Sequence, residues 1–184
     1  MADASGIEIE RKFIVAEMPP TEFLQNPTII HQGYLVIGED GSEVRLRQAS
    51  DEGGYRRTLT VKSKGGLVRG EREIDLDEPQ FDELWTMTDG KQLLKTRYST
   101  KNEGLTFEID SYLGNLAGLT VLEIEFTDID AATEFIAPDW VGNDVTEVKW
   151  MKNQALAVTD SIAWGPYIID NGRAIYIPKV EIIK

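Results

Sequence analysis

Charged residues spaced two apart are the feature of this chain with the clearest chemical consequence. Acidic pairs and basic pairs recur along the chain, and the residue between the two members is often apolar. Two neighbouring carboxylates favour a cation between them, and two neighbouring cations similarly favour an anion. The pattern therefore predicts a site that holds a metal ion beside a multiply charged anion. The acidic pairs are Glu8/Glu10, Glu108/Asp110 and Glu123/Glu125, and the basic pairs are Arg45/Arg47, Lys62/Lys64 and Lys95/Arg97.

This spacing places each charged pair on one face of a β-strand, because alternate residues of a strand point to the same side. Short alternating runs, separated by turn residues such as Glu39-Asp40-Gly41 and Gly53-Gly54, make up most of the chain. Such a series is typical of an antiparallel sheet or barrel. The predicted strands are Ile7–Val15, Gly33–Gly38, Ser42–Gln48, Tyr55–Ser63, Leu67–Leu76, Leu105–Tyr112 and Leu119–Thr127.

Three segments are predicted to be helical. Glu78–Asp89 places Phe81, Leu84 and Trp85 on one face and stops at Gly90, where a helix commonly ends. Strands with helices inserted between them predict an α+β fold. The other two predicted helices are Asp130–Ala137, and Thr146–Val158 with Thr146 as its N-cap.

The alternation allows two arrangements of the sheet. The charged faces can lie in solvent above a conventional apolar core, which is usual for antiparallel sheets. They can instead line a closed barrel whose apolar side chains point outward and are covered by the helices. The near-exclusive use of ionised residues, with the signs segregated by strand, shifts the balance towards the barrel, but the pattern alone leaves both arrangements open.

Composition limits the chemistry. The net charge of −13 argues against non-specific binding of nucleic acid, and the chain has no cysteine and a single histidine, His31, for which we expect a structural role. A metal must therefore be held by oxygen ligands, which favour hard ions such as Mg²⁺ or Mn²⁺. Neither an N-terminal apolar segment nor an apolar run of about 18 residues is present. We expect a soluble cytoplasmic protein with no membrane or nucleic-acid partner.

Several motifs resemble those of the CYTH superfamily, the triphosphate tunnel metalloenzymes. Glu8-Ile9-Glu10-Arg11-Lys12 is similar to its E-x-E-x-K signature, and further elements follow in the family's order from about residue 7 to residue 158. The similarity is greatest to short bacterial inorganic triphosphatases. It implies a closed eight-stranded antiparallel tunnel with helices packed outside. The further elements are Gly33-Tyr34-Leu35, Arg45-Leu46-Arg47, residues 59–62, 69–73, 95–98, 107–110 and 122–125.

The resemblance implies a role for each matching residue in this sequence. The implied metal ligands are Glu8, Glu10, Glu108, Asp110, Glu123 and Glu125. The implied substrate-binding residues are Lys12, Tyr34, Arg45, Arg47, Lys62, Lys64, Arg69, Lys95 and Arg97. The residues implied to be catalytic are Glu8, Glu10, Arg45, Arg47, Lys95, Glu123 and Glu125.

The implied reaction is hydrolysis of tripolyphosphate to pyrophosphate and phosphate with Mg²⁺ or Mn²⁺. Adenylate cyclisation and hydrolysis of thiamine or nucleoside triphosphates remain alternatives, because the tunnel motifs do not distinguish these activities. A non-catalytic polyphosphate- or nucleotide-binding module is a further alternative, and the clustered carboxylates argue against it. The expected partner is a small anionic triphosphate, and a homodimer is compatible with the sequence.

The C-terminal part departs from the family pattern. Glu147–Asn153 replaces an expected acidic residue followed by Arg-Tyr-Ser-Asn, so the contacts of this segment are not predicted. We expect residues 1–159 to form the tunnel domain and residues 160–184 to extend it as a hairpin packed outside. The hairpin would join Tyr167–Asp170 to Arg173–Pro178 through a type I′ turn at Asn171-Gly172.

Overall fold

A computed structural model of the chain describes residues 9–15, 17, 19–63 and 70–159, together with the backbone of residues 163–170 and 173–179. Nine strands form one antiparallel sheet in the order β5-β4-β3-β2-β6-β7-β8-β1-β9. They are β1 (Ile9–Val15), β2 (Thr28–Ile37), β3 (Glu43–Asp51), β4 (Gly54–Lys62), β5 (Glu71–Asp75), β6 (Gln92–Asn102), β7 (Leu105–Tyr112), β8 (Thr120–Phe126) and β9 (Val141–Asp144).

The predicted α+β fold, an antiparallel sheet with helices outside it, is confirmed, but its closure into an eight-stranded barrel is not. The described strands form an open nine-stranded sheet whose edges are β5 and β9. The ninth strand pairs with β1 beyond Phe13, where the register shifts. It was not predicted because Gly142, Asn143 and Asp144 are residue types that are depleted in strands.

Strand β6 was also missed, although it lies at the centre of the sheet between β2 and β7. Its sequence carries polar or charged residues at both parities, for example Thr96 between Lys95 and Arg97. Period-two patterning is therefore weak in this segment. Pairing on both sides supplies the hydrogen bonds that make it a strand.

Two of the predicted helices are present with shifted ends. α1 (Glu78–Trp85) is capped by Asp77, whose side chain accepts a hydrogen bond from the backbone of Gln80 in a capping box. Phe81 is buried and stacks on Trp85 with ring centroids 5.2 Å apart, so α1 covers the outer side of β3 and β4. α2 (Ile129–Glu134) is capped by Asp128.

The third predicted helix, Thr146–Val158, is wrong. The segment contains a 3₁₀ turn at Lys149–Met151 and only a single helical turn, α3 (Asn153–Leu156), separated by Lys152 with an extended ψ of 141°. Thr146 does not cap a helix here, because its hydroxyl bonds Asp144 and its neighbour Val145 donates to the backbone of Lys12 at 2.7 Å. These bonds to β1 outweigh the local helical preference.

The sheet has its apolar face outside, as the barrel arrangement predicted. A cluster that includes Phe13, Phe107, Leu122 and Ile124 packs beneath α2 and the loop before β2. A second cluster fills one end of the sheet's inner side with Tyr34, Tyr112, Met151 and their neighbours. The charged residues of the strands therefore face inward, on the same side of the sheet as the second cluster.

The C-terminal strands are confirmed as a separate two-stranded antiparallel sheet of β10 (Ala163–Asp170) and β11 (Arg173–Lys179). The backbone of β11 lies near β9. The predicted turn residues Asn171-Gly172 fall outside the described residues, and the division into a domain and an extension stays a prediction. None of the described helices has the length and apolarity that a membrane span requires.

Leu122→Ala is expected to lower the free energy of unfolding by about 2–5 kcal/mol, because the fully buried side chain would leave a cavity in the outer cluster. Ile136→Ala is the matched control, since Ile136 is 88% exposed and its truncation should change stability by less than about 0.5 kcal/mol. Urea unfolding measures both values. Equal losses in the two variants would contradict the apolar-out arrangement.

Candidate active site

The inward-facing side chains of the sheet enclose a cavity of about 580 Å³. That volume lies within the range of small-molecule sites, about 300–1,000 Å³. Ten of the residues predicted from the sequence line it: Glu10, Lys12, Tyr34, Arg45, Arg47, Lys62, Arg97, Glu108, Glu123 and Glu125. The lining also includes Glu43, Glu71, Glu73 and residues 145–148 and 151–154.

The remaining predicted residues lie elsewhere. Glu8, Lys64 and Arg69 fall outside the described residues. Lys95 and Asp110 are fully buried, behind the residues that line the cavity. Both still act on the cavity electrostatically, because they belong to the charge network of its wall.

Arg97 is the centre of that network. Its guanidinium forms ion pairs with Glu108, with Asp110 at 2.7 Å and with Glu123 at 2.7 Å. Burial acts to lower the pKa of Arg97, but the three carboxylates outweigh it and raise the pKa well above the ordinary value. A basic residue predicted to bind phosphate is thus inserted among the acidic residues of β7 and β8.

Lys12 extends the network to β1. Its Nζ lies 2.6 Å from Oε1 of Glu123 and donates to the backbone oxygen of Met151 at 3.3 Å. Burial opposes ionisation of Glu123, yet the charges of Lys12 and Arg97 hold the pKa of Glu123 well below its usual range. Glu123 is therefore ionised and already shared by two cations.

Lys95 and Asp110 form a fully buried ion pair beneath the cavity floor. Burial and the like charge of Arg97 lower the pKa of Lys95 to about 8, although Asp110 acts in the opposite direction. Lys95 also lies over the ring of Tyr112, with its Nζ 5.6 Å from the centroid. The charge on Lys95 is consequently sensitive to modest alkaline pH.

The opposite wall, formed by β3, β4 and β5, carries both cations and carboxylates, but its two arginines are less closely paired. Lys62 pairs with Glu71 at 2.8 Å. Among the residues that the structure describes, the ion pairs of Arg45 are long, at 3.5 Å to Glu43 and 3.8 Å to Glu71. The Nε of Arg45 is buried without a hydrogen-bond acceptor in the described part of the chain. An unsatisfied buried donor is costly, so this atom favours an incoming acceptor.

Arg47 bonds a neutral side chain rather than a carboxylate. Its Nε and Nη2 donate to Oε1 of Gln32 at 3.1 and 3.0 Å. The amide nitrogen of Gln32 donates in turn to the hydroxyl of Tyr34 at 2.7 Å. Burial, followed by the like charges of Arg45 and Arg97, lowers the pKa of Arg47 to about 10. An anion bound here would relieve that repulsion.

Glu10 and Glu125 are directly opposite each other in the register of β1 and β8, and both line the cavity. Like charges in this arrangement favour a cation between them. Within the described ranges no three acidic or imidazole side chains converge into a ready-made metal cage. Two carboxylates completed by water and substrate phosphates suit Mg²⁺, which commonly binds in that way, so the donor set fits a hard divalent ion.

The segment that replaces the predicted third helix covers one end of the cavity. Tyr112 donates a hydrogen bond from its hydroxyl to Asn153, and Met151 is buried against the inner cluster. Asn153 and Gln32 were not assigned a role from the sequence, because neither belongs to a charged pair. Glu43 could have been found, since it shares the parity of Arg45 and Arg47.

A cavity with incompletely compensated arginines on one wall and opposed carboxylates on another can bind a phosphate chain and a divalent cation together. The arginines can contact phosphate oxygens through paired N–H groups. The cation can bridge carboxylates and phosphate. This combination suits transfer of a phosphoryl group to water, a reaction that depends chiefly on positioning and charge stabilisation.

No family model matches the chain. It is 47% identical over 153 residues to the inorganic triphosphatase of Nitrosomonas europaea, covering 83% of this chain and 97% of that protein. It is 37% identical over 143 residues to the inorganic triphosphatase of Acetivibrio thermocellus, covering 77% of this chain and 86% of that protein. A crystal structure of an inorganic triphosphatase superposes with a TM-score of 0.66 at 43% identity, covering 84% of this chain and 96% of that one.

These similarities cover most of the chain and agree with the resemblance found in the motifs. The chain belongs to the inorganic triphosphatase family of the triphosphate tunnel metalloenzymes.

Proposed function

We propose that this protein hydrolyses inorganic triphosphate to pyrophosphate and phosphate with the help of a divalent metal. The observation that carries the proposal is the pair of arginines whose charge the protein leaves incompletely compensated, Arg45 and Arg47, facing a cavity that also contains Glu10 and Glu125. The activity named for the relatives supports the same reaction.

Arg45 and Arg47 would hold oxygens of the phosphate chain. Both side chains line the cavity, and charge-assisted bonds from arginine to phosphate are stronger than neutral ones. Lys62 and Lys12 add positive charge at the two sides. Water attacks the terminal phosphorus, the bond from that phosphorus to the bridging oxygen breaks, and pyrophosphate leaves with the bridging oxygen.

Glu10 and Glu125, with Glu8 as a further ligand implied by the motif, would hold Mg²⁺ or Mn²⁺. The bound metal supplies charge neutralisation on the phosphate oxygens. Glu108, Asp110 and Glu123 were also implied as ligands, but since they pair with Arg97, Lys12 and Lys95, in this proposal they would instead hold those cations. They fix the cationic side chains in the wall and restrict their movement.

Arg45→Ala is expected to lower kcat/KM for tripolyphosphate by about 100-fold or more, the usual cost of removing a group that stabilises developing charge. Phosphate release would be measured with Mg²⁺ and with Mn²⁺ on tripolyphosphate, ATP, pyrophosphate and thiamine triphosphate. Arg72→Ala is the matched control, because Arg72 is exposed and lies at the outward parity of β5. Faster release from ATP or thiamine triphosphate than from tripolyphosphate would overturn the proposed substrate.

Glu10→Gln is expected to raise the metal concentration needed for half-maximal activity by at least about tenfold. Mutation of a residue that merely hydrogen-bonds a metal ligand already weakens metal affinity by about that factor, and Glu10 would be a ligand itself. Activity at saturating metal would recover in part. The matched control is Glu134→Gln on the exposed surface of α2. An unchanged metal requirement, or full activity of the wild type in the presence of a chelator, would exclude a metal at this position.

The value of kcat/KM is expected to fall as the pH rises above about 8, because Lys95 loses its proton there and the wall loses a positive charge. Below that pH Lys95 is charged and its contribution is complete. Lys95→Met should lower kcat/KM at neutral pH and remove this alkaline decrease. Any small pH dependence that remains in the variant would come from ionisation of the substrate itself. A decrease of the same size in Lys95→Met would assign the effect to another group.

A further inference from the structure

Gln32 lies on the inward face of β2 and is fully buried. It is the direct cross-strand partner of Arg47 in β3, and on its other side it pairs with Leu93 in β6. A fully buried amide at the centre of a sheet needs partners for its oxygen and its nitrogen. Both partners of Gln32, Arg47 and Tyr34, are residues that line the cavity.

The bonds of Gln32 fix the orientation of the guanidinium of Arg47. An arginine has five N–H donors, and Gln32 uses those on the Nε and Nη2 edge. The edge formed by Nη1 and the second hydrogen of Nη2 is left available. Parallel donors on one edge are the arrangement that binds two oxygens of a phosphate at once.

The same bonds fix the role of Tyr34. Because the oxygen of Gln32 is occupied by Arg47, its nitrogen must point to Tyr34 and donate to the hydroxyl. The hydroxyl is therefore an acceptor towards Gln32 and retains its own hydrogen as a donor. Among the described residues this hydrogen has no protein acceptor.

Because the side chain of Gln32 is neutral, it holds Arg47 without cancelling the charge of the guanidinium. On the other wall of the cavity, Lys12, Lys95 and Arg97 are each paired with a carboxylate. Arg47 makes no ion pair with any residue that the structure describes. A glutamate at position 32 could hold the guanidinium equally well, but it would cancel the charge that an anion needs.

We infer that Gln32 is a positioning residue that presents one N–H edge of Arg47 and the hydroxyl hydrogen of Tyr34 to phosphate oxygens of the substrate while leaving the charge of Arg47 uncompensated. This inference rests on the proposed triphosphatase function. It predicts that Gln32 acts on substrate only through these two residues. Its effect should therefore depend on whether Arg47 is present.

The test is a double-mutant cycle of Gln32→Leu, Arg47→Met and the combined variant. Gln32→Leu is expected to lower kcat/KM for tripolyphosphate on the order of tenfold. Loss of a hydrogen bond to a charged group typically has an effect of about this size. In the Arg47→Met background the same change should cost a clearly smaller factor, because only the contribution through Tyr34 remains and groups that act through each other are not additive. An equal factor in both backgrounds would overturn the inference.

Gln48→Leu is the matched control. Gln48 accepts a hydrogen bond from Nε of Arg57 at 2.8 Å in a similar glutamine–arginine pair, but on the outer face of the same sheet. Loss of that pair should leave kcat/KM unchanged. A loss of activity in Gln48→Leu equal to that in Gln32→Leu would attribute the effect to general weakening of the sheet.

Gln32→Glu keeps an acceptor for Arg47 and adds a negative charge, and it also removes the N–H donor to Tyr34. Calorimetric titration with tripolyphosphate in metal-free buffer should give an affinity lower than that of the wild type by tenfold or more, since a carboxylate would neutralise Arg47. Wild-type affinity in Gln32→Glu would refute the role assigned to the neutral amide. Thermal melting of each variant identifies any that fail to fold, and if Gln32→Leu fails, the affinity of Gln32→Glu carries the test.

Failure of this inference is distinguishable from failure of the proposed function. A wild-type protein that releases phosphate, together with a Gln32→Leu variant of equal kcat/KM, would overturn only the role of Gln32. A wild-type protein that releases no phosphate would overturn the hydrolysis proposal, while the calorimetric arm would still test whether Gln32 presents Arg47 to an anion.

Discussion

Withdrawal of ionised side chains from water is the constraint on which this structure depends. A charge inside a protein is costly unless an opposite charge and hydrogen bonds compensate it. Here the compensation runs across strands, because Arg97 on β6 joins carboxylates of β7 and β8, and Glu123 joins Lys12 on β1. A shift of register by one residue would move these charges into the outer apolar cluster. The ion pairs therefore specify the register of the strands that enclose the cavity.

The same network leaves the charge unevenly distributed. The carboxylates at the floor are neutralised by cations of the wall, whereas Arg45 and Arg47 on β3 are not neutralised to the same degree. Two neighbouring arginines without close carboxylate partners among the described residues are thus enclosed in a chain whose net charge is −13. Enclosure by a protein wall strengthens the field that such charges exert, relative to the same charges in water.

The alternation of residue types predicted most of the strands and which side chains share one face of a strand. Alternation at Glu10 and Lys12, or at Arg45 and Arg47, shows which side chains share a face, but it cannot show which strand supplies the opposite charge. The burial of Lys95 depends on contacts between distant segments and is invisible in the pattern. The failure at Thr146–Val158 has the same origin, since hydrogen bonds to Lys12 and Asp144 override helix propensity. Gln32 carries no charge and belongs to none of the motifs, so neither the charged alternation nor the resemblance identifies it.

Two like-charge pairs of opposite sign face this cavity, and under the proposed function they would couple the binding of metal and anion. Repulsion between Glu10 and Glu125 would be relieved by a cation, and repulsion between Arg45 and Arg47 would be relieved by a phosphate chain. A divalent cation offsets part of the negative charge of a phosphate chain beside it. The free energy of binding one would therefore be more favourable when the other is present, and such a coupling is equal in both directions. Walls arranged in this way would favour the metal complex of the polyphosphate over either ion alone.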